Sequence, residues 1–95
     1  MLNENIGFFA ESRAGHDKGK VFVIINASNE YVYLADGKSR TIANPKRKNI
    51  KHIQIIKKDV DEKIRKKLLN NETVSNEELK YVLKERFRCL CQSQI

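Results

Sequence analysis

The stretch ESRAGHDKGKVFVIIN, residues 11–26, decides the fold. It reads as the end of one strand, a short loop held between Gly15 and Gly19, and a nearly continuous apolar strand over Lys20–Asn26. The β-branched run Val21, Val23, Ile24 and Ile25, bounded by Gly19 and Asn26, decides for strand against helix. A tight loop between strands needs positions that reach positive φ with no Cβ in the way, and the two glycines supply them. Between them stand His16, Asp17 and Lys18, with Arg13 before and Lys20 after. Low side-chain bulk and flanking cations let such a loop bring backbone N–H groups and positive charge up to a phosphate. Asp17 has the opposite sign, and its expected role is to accept hydrogen bonds from backbone N–H groups and fix the turn.

Working outward, Ile6–Ser12 reads as a first strand, with Phe8, Phe9 and Ala10 as apolar material and Gly7 marking a bend or a close backbone approach. Residues 27–30 are a polar turn. Tyr31–Asp36 alternates, with Val32 and Leu34 on one side and Tyr31, Tyr33 and Ala35 on the other, as a half-buried strand does. Asp36-Gly37 is a hairpin signal that predicts a fourth strand over Lys38–Ile42. The segment Ala43–Asn49, which holds the single proline and the run Lys46-Arg47-Lys48, is expected as loop. Asn49–Ile56 is expected as a fifth strand with Ile53 and Ile55 pointing inward. Five short strands with tight turns and no helix between them fit a small antiparallel barrel.

After Lys57-Lys58 the apolar period lengthens from two to about 3.6 residues. Asp59 with Glu62 predicts a helix start, Val60, Ile64 and Leu68 form one stripe, and Asn70-Asn71 ends it. Ser75 with Glu78 forms a second capping box, followed by the stripe Leu79, Val82, Leu83, Phe87 and Leu90. The expected organisation is a barrel over residues 1–58 and a helical hairpin over residues 59–95 packed on it. Almost no linker separates the two, so one compact unit is expected.

The chain has 95 residues and a formal charge of +7, and a domain of this size buries only about 60–65% of its unfolded surface. The positive charge is concentrated: residues 1–58 hold 11 Lys and Arg against 5 acids, whereas residues 59–95 hold 8 against 7. An anionic partner is favoured, and the binding module is the first part. No basic lead followed by a long apolar segment opens the chain, and the longest apolar run is Val21–Ile25, so neither a targeting signal nor a membrane contact is expected and the location is cytoplasmic. Cys89 and Cys91, two apart in the expected helix, have diverging side chains, so a disulfide would require that helix to end; they lack metal-ligand spacing, and reduced, partly buried thiols are the favoured reading. No metal or cofactor is expected, and no Ser-His-Asp or Cys-His arrangement suggests catalysis.

The run Ser12-Arg13-Ala14-Gly15-His16-Asp17-Lys18-Gly19-Lys20 followed by Val21-Phe22-Val23-Ile24 resembles the KOW motif of archaeal and eukaryotic large-subunit ribosomal proteins and their small bacterial relatives. Tyr33-Leu34-Ala35-Asp36-Gly37, Arg40, Asn44-Pro45-Lys46-Arg47-Lys48 and Ile50-Lys51-His52-Ile53 extend the likeness over roughly residues 5 to 56. His16 stands where the family usually has arginine. The resemblance implies an SH3-like barrel, binding to structured RNA, most of all ribosomal RNA within the large subunit, and no catalysis.

The expected RNA-binding set is Arg13, Gly15, His16, Lys18, Gly19, Lys20, Lys38, Arg40, Lys46, Arg47, Lys48, Lys51 and His52. Spaced cations on one side of a small barrel match phosphates across an RNA groove. The arginines carry what selectivity exists, because a planar guanidinium binds phosphate at two points or stacks on a base. The bland alternative is a solvated charged surface. Tyr31 and Tyr33 could stack on unpaired bases, but packing under the helices is the favoured reading. A different functional class also remains open, in which the barrel is a scaffold and residues 59–95 contact a protein of a transcription or translation complex. Fold alone does not separate the two.

Overall fold

The structure, a computed structural model, describes residues 5–87, with the backbone alone at 58 and 59. Strand β1 (Phe8–Ser12) turns into β2 (Val21–Ala27), which pairs with it antiparallel in the register Phe9↔Val23 and Glu11↔Val21. Strand β3 (Tyr31–Ala35) adds to β2, with a bulge between Ile24 and Asn26. The chain then forms β4 (Lys46–Asn49), a 3-10 turn (Ile50–His52) and β5 (Ile53–Val60), which returns to pair with β1. The order β4-β3-β2-β1-β5 makes a five-stranded antiparallel sheet curled into an SH3-like half-barrel. Its two bulges, the second between Phe8 and Phe9, add local twist where the sheet curls.

The near-continuous apolar character of β2 follows from burial on both sheet faces. Inside the curl, Ala10, Phe22, Ile24, Val32 and Leu34 form one cluster, with Ile53 and Ile55 packed against it as their alternation predicts. On the outer face Phe9, Val23 and Ala35 meet Ile64, Val74, Leu79 and Val82 from the helical part. Helix α1 (Glu62–Leu69) and helix α2 (Asn76–Arg86) thus bury their apolar stripes on the sheet. Phe87 closes one end, its ring edge-on to Phe9 at 5.1 Å. The expected hairpin and its intramolecular packing are therefore present. Leu90, Cys89 and Cys91 lie outside the described residues.

Three expectations need correction. Lys38–Ile42 is not a strand, because its backbone donors are taken by side chains rather than by a neighbouring strand. Asp36 Oδ1 accepts from the N–H groups of Lys38 and Arg40 at 2.8 and 2.9 Å, the Arg40 carbonyl accepts from Asp36 N, and Asn76 Oδ1 accepts from Ile42 N at 2.9 Å. The fourth strand is instead Lys46–Asn49, inside the expected loop, paired from Leu34↔Lys46 to Tyr31↔Asn49. The fifth strand begins only at Ile53, since Asn49 caps the 3-10 turn by accepting from Lys51 N at 2.9 Å. It runs on to Val60, which moves the first helix cap from Asp59 to Asp61, whose Oδ1 accepts from Ile64 N at 3.1 Å. The Ser75–Glu78 capping box forms as expected.

Candidate nucleic-acid interface

In an antiparallel meander the β1–β2 and β3–β4 connections emerge at the same end, and β5 starts there too, opposite Ser12. One rim of the half-barrel therefore carries residues 13–20, residues 36–45 and the end of the 3-10 turn. Backbone bonds hold the first loop to this frame. Ser12 N donates to Lys20 O at 2.9 Å, Gly19 N to Ser12 O at 2.8 Å, Lys20 N to Asp17 O at 2.8 Å, and Arg13 N to His52 O at 2.8 Å. Ser12, fully buried, donates its hydroxyl to Ala14 O at 3.1 Å. Gly15 and Gly19 take φ of 80° and 90°, as the loop requires.

Two lysines of β4 reach the loop from across the curl. Their partners in register, Leu34 and Val32, are buried inside the half-barrel, so Lys46 and Lys48 project from that same face. Lys48 Nζ donates to Ala14 O at 2.6 Å. Lys46 Nζ lies 3.1 Å from Asp17 Oδ2, an oxygen shut off from solvent and satisfied by this charge contact rather than by a well-aligned hydrogen bond. The Lys46 ammonium holds the Asp17 carboxyl below its ordinary pKa; burial works against this, and the fields of Lys48 and Lys20 add to it. The Asp17 side chain thus fixes the loop through a lysine rather than through backbone N–H groups.

The expected binding residues are distributed as follows. Arg13, Gly15, His16, Lys18, Gly19 and Lys20 are exposed on the loop, and Lys51 and His52 are exposed beside it on the 3-10 turn. Lys38 is exposed and Arg40 half-buried on the 36–45 segment of the same rim, on the flank that Asn76 ties to α2. Lys46 and Lys48 are half-buried and engaged with the loop. Arg47 departs from the group: it alternates to the outer face, where its guanidinium lies 4.7 Å over the Tyr31 ring. Tyr31 is thus half-buried beneath an arginine, while Ala35 on the same side of β3 is the residue that meets the helices. The helical layer occupies the outer face and leaves the loop and the 3-10 turn open.

Sequence reasoning did not find the Asp17–Lys46 pair, nor the Glu11 carboxylate 3.4 Å from Arg13. The available signal was an acid inside a cationic loop, which needs a partner. Among the described residues, no group of three or more His, Cys, Asp or Glu is placed to hold a metal ion, and no helix is long and apolar enough to cross a membrane.

The fold and the rim define a class: a small curled β-sheet backed by two helices that presents a loop-built cationic surface. No protein-family model matches the chain, and neither does any curated protein sequence. The KOW resemblance accordingly rests on the residues quoted for it.

Proposed function

We propose that this chain is a cytoplasmic, non-enzymatic RNA-binding protein of the KOW type that docks its basic rim on ribosomal RNA. The observation that carries the reading is the convergence of segments far apart in sequence. The loop at 13–20, the end of the 3-10 turn and the 36–45 connection share one rim, and among the described residues no helix covers the first two. Arg13, Lys18, Lys20, Lys38 and Lys51 are exposed there. Such a surface suits the phosphates of a folded RNA rather than the base edges of a single strand, because the rim offers cations and backbone and few aromatic faces.

If these five cations each meet a phosphate, log affinity falls with log salt at a slope of roughly −3.5 to −4.5. The test is titration of the purified chain with ribosomal RNA fragments from low to moderate salt. A slope near zero removes the mechanism. The protein-contact reading has less behind it, since the apolar stripes of α1 and α2 are spent inside and the exposed large apolar side chains are Leu69 and Tyr81 among the described residues. Partners that survive ribonuclease in a pull-down would favour that reading instead.

A further inference from the structure

We infer that Asp17 and Lys46 are positioning residues of the RNA-facing loop, so that an acidic side chain inside a basic surface raises affinity for RNA instead of lowering it. The inference rests on the RNA-binding reading and adds a division of labour within the rim.

Asp17 is the loop's single acid, and its carboxylate is turned inward: its side chain is only 14% exposed and that of Lys46 only 29%. The pair ties the loop between β1 and β2 to β4 at the far side of the curl. Lys48 adds a second tie at Ala14 O, close beside Gly15, where its Nζ would lie 3.5 Å from an added Cβ. Lys46 and Lys48 each therefore commit a contact to the loop and stay half-buried, while Lys18, Lys20 and Lys51 are exposed to solvent. A loop held in one conformation loses less conformational freedom when RNA binds, and that saving appears as affinity. Charge counting alone gives the opposite sign, because Asp17 repels phosphate.

The two accounts separate on Asp17→Asn, which keeps the shape and removes the charge. The expected result is RNA binding weakened about fivefold even though the surface becomes more positive, the size of a modest, partly sheltered ion pair. Lys46→Ala weakens binding comparably while leaving the salt slope at the wild-type value, whereas Lys18→Ala flattens it by roughly 0.7–0.9. In parallel, amide hydrogen exchange at Lys18–Lys20 accelerates in both Asp17→Asn and Lys46→Ala. Binding by Asp17→Asn equal to or tighter than wild type overturns the inference, as does a slope for Lys46→Ala flattened as much as for Lys18→Ala. Failure of the wild-type chain to bind RNA is a failure of the function reading. The exchange measurement still decides the positioning claim in that case: unchanged protection in the two variants overturns it.

Discussion

Gly7→Ala and Gly19→Ala form a matched pair, because the two glycines have nearly the same φ, 91° and 90°, in very different surroundings. An alanine in the left-handed region costs about 1–2 kcal/mol. The reduced freedom of the unfolded chain returns about 0.4–1 kcal/mol. At Gly19 nothing lies within 4 Å of an added Cβ, so the net cost there is about 1 kcal/mol. At Gly7 the same Cβ would lie 2.6 Å from Arg65 Cβ and 2.7 Å from its Cα. Backbone, not a flexible side-chain end, must then move, and α1 moves with it. The segment it leaves is tightly engaged: Gly7 N donates to Ile24 O at 2.7 Å, Arg65 Nη1 donates to Ile6 O at 2.7 Å, and the guanidinium lies 4.8 Å over the Phe8 ring. Overpacking of this kind adds about 1–3 kcal/mol, for a total of about 2–4 kcal/mol at Gly7. Urea unfolding followed by circular dichroism measures the difference, and a gap of about 2 kcal/mol appears as roughly 8–16 °C in Tm for a domain of this size. If the two variants fall within about 0.5 kcal/mol of each other, a difference no larger than that between typical surface substitutions, the close docking of α1 on residues 6–8 is refuted. RNA affinity should rank the pair the other way, with Gly19→Ala the weaker binder at temperatures where both are folded.

Ser75→Ala removes one half of the reciprocal cap on α2 and should cost about 1 kcal/mol in the same urea assay, with the slope of the transition unchanged. The carboxyls of Glu78, beside Lys67 and Ser75, and of Asp17, beside Lys46, are both held below their ordinary pKa. They stabilise the fold fully above the unfolded carboxylate value, and that stability drains away as pH falls through the depressed folded values. A urea series from neutral to acid pH should therefore show the midpoint falling, and the double variant Asp17→Asn, Glu78→Gln should flatten the fall. Lys67 is raised by the Glu78 contact, so its share is present below the ordinary lysine value and lost as pH rises through the raised one. Arg47→Ala strips the cation from the Tyr31 ring and should cost about 0.5–1 kcal/mol of stability. Because Arg47 lies on the outer face, the salt slope for RNA should not change; a flatter slope would return Arg47 to the binding surface.

The strands that could be read from sequence were those whose burial pattern is their own. β1, β2 and β3 carry enough apolar residues to reveal their faces, and Ser75–Glu78 announces α2 through chemistry confined to four residues. β4 could not be read because its four residues, Lys46–Asn49, contain no apolar side chain. It is a strand because β3 offers an open edge beside it, and tertiary pairing overrides a composition that looks like loop. The reverse error at Lys38–Ile42 has the same origin. Asp36-Gly37 does make a turn there, but Asp36 collects two backbone donors and Asn76, 34 residues on, collects a third. Asp59 looked the better cap on spacing, because Glu62 stands three residues on, but the β1–β5 ladder runs to Val60 and leaves Asp61 as the first residue free to cap.

For the candidate site, the sequence displays the cations but not their commitments. Thirteen residues enter the set on sign, flexibility and position in the motif, and those properties cannot distinguish a lysine facing solvent from one that reaches back across the curl. Alternation along β4 makes the distinction. Lys46 and Lys48 follow Leu34 and Val32 toward the interior side and end on the loop, whereas Arg47, one residue out of phase, ends on Tyr31. A run of three positive charges thus divides two to one between sheet faces, which no count of charge per segment can show. The same alternation explains why Asp17 is not an anomaly. Once two lysines project into the mouth of a half-barrel, a carboxylate opposite them lowers the cost of keeping those ammonium groups partly out of water. An acid on the loop therefore belongs to the packing of β4, and the rim cations left exposed to solvent are Arg13, Lys18, Lys20, Lys38 and Lys51.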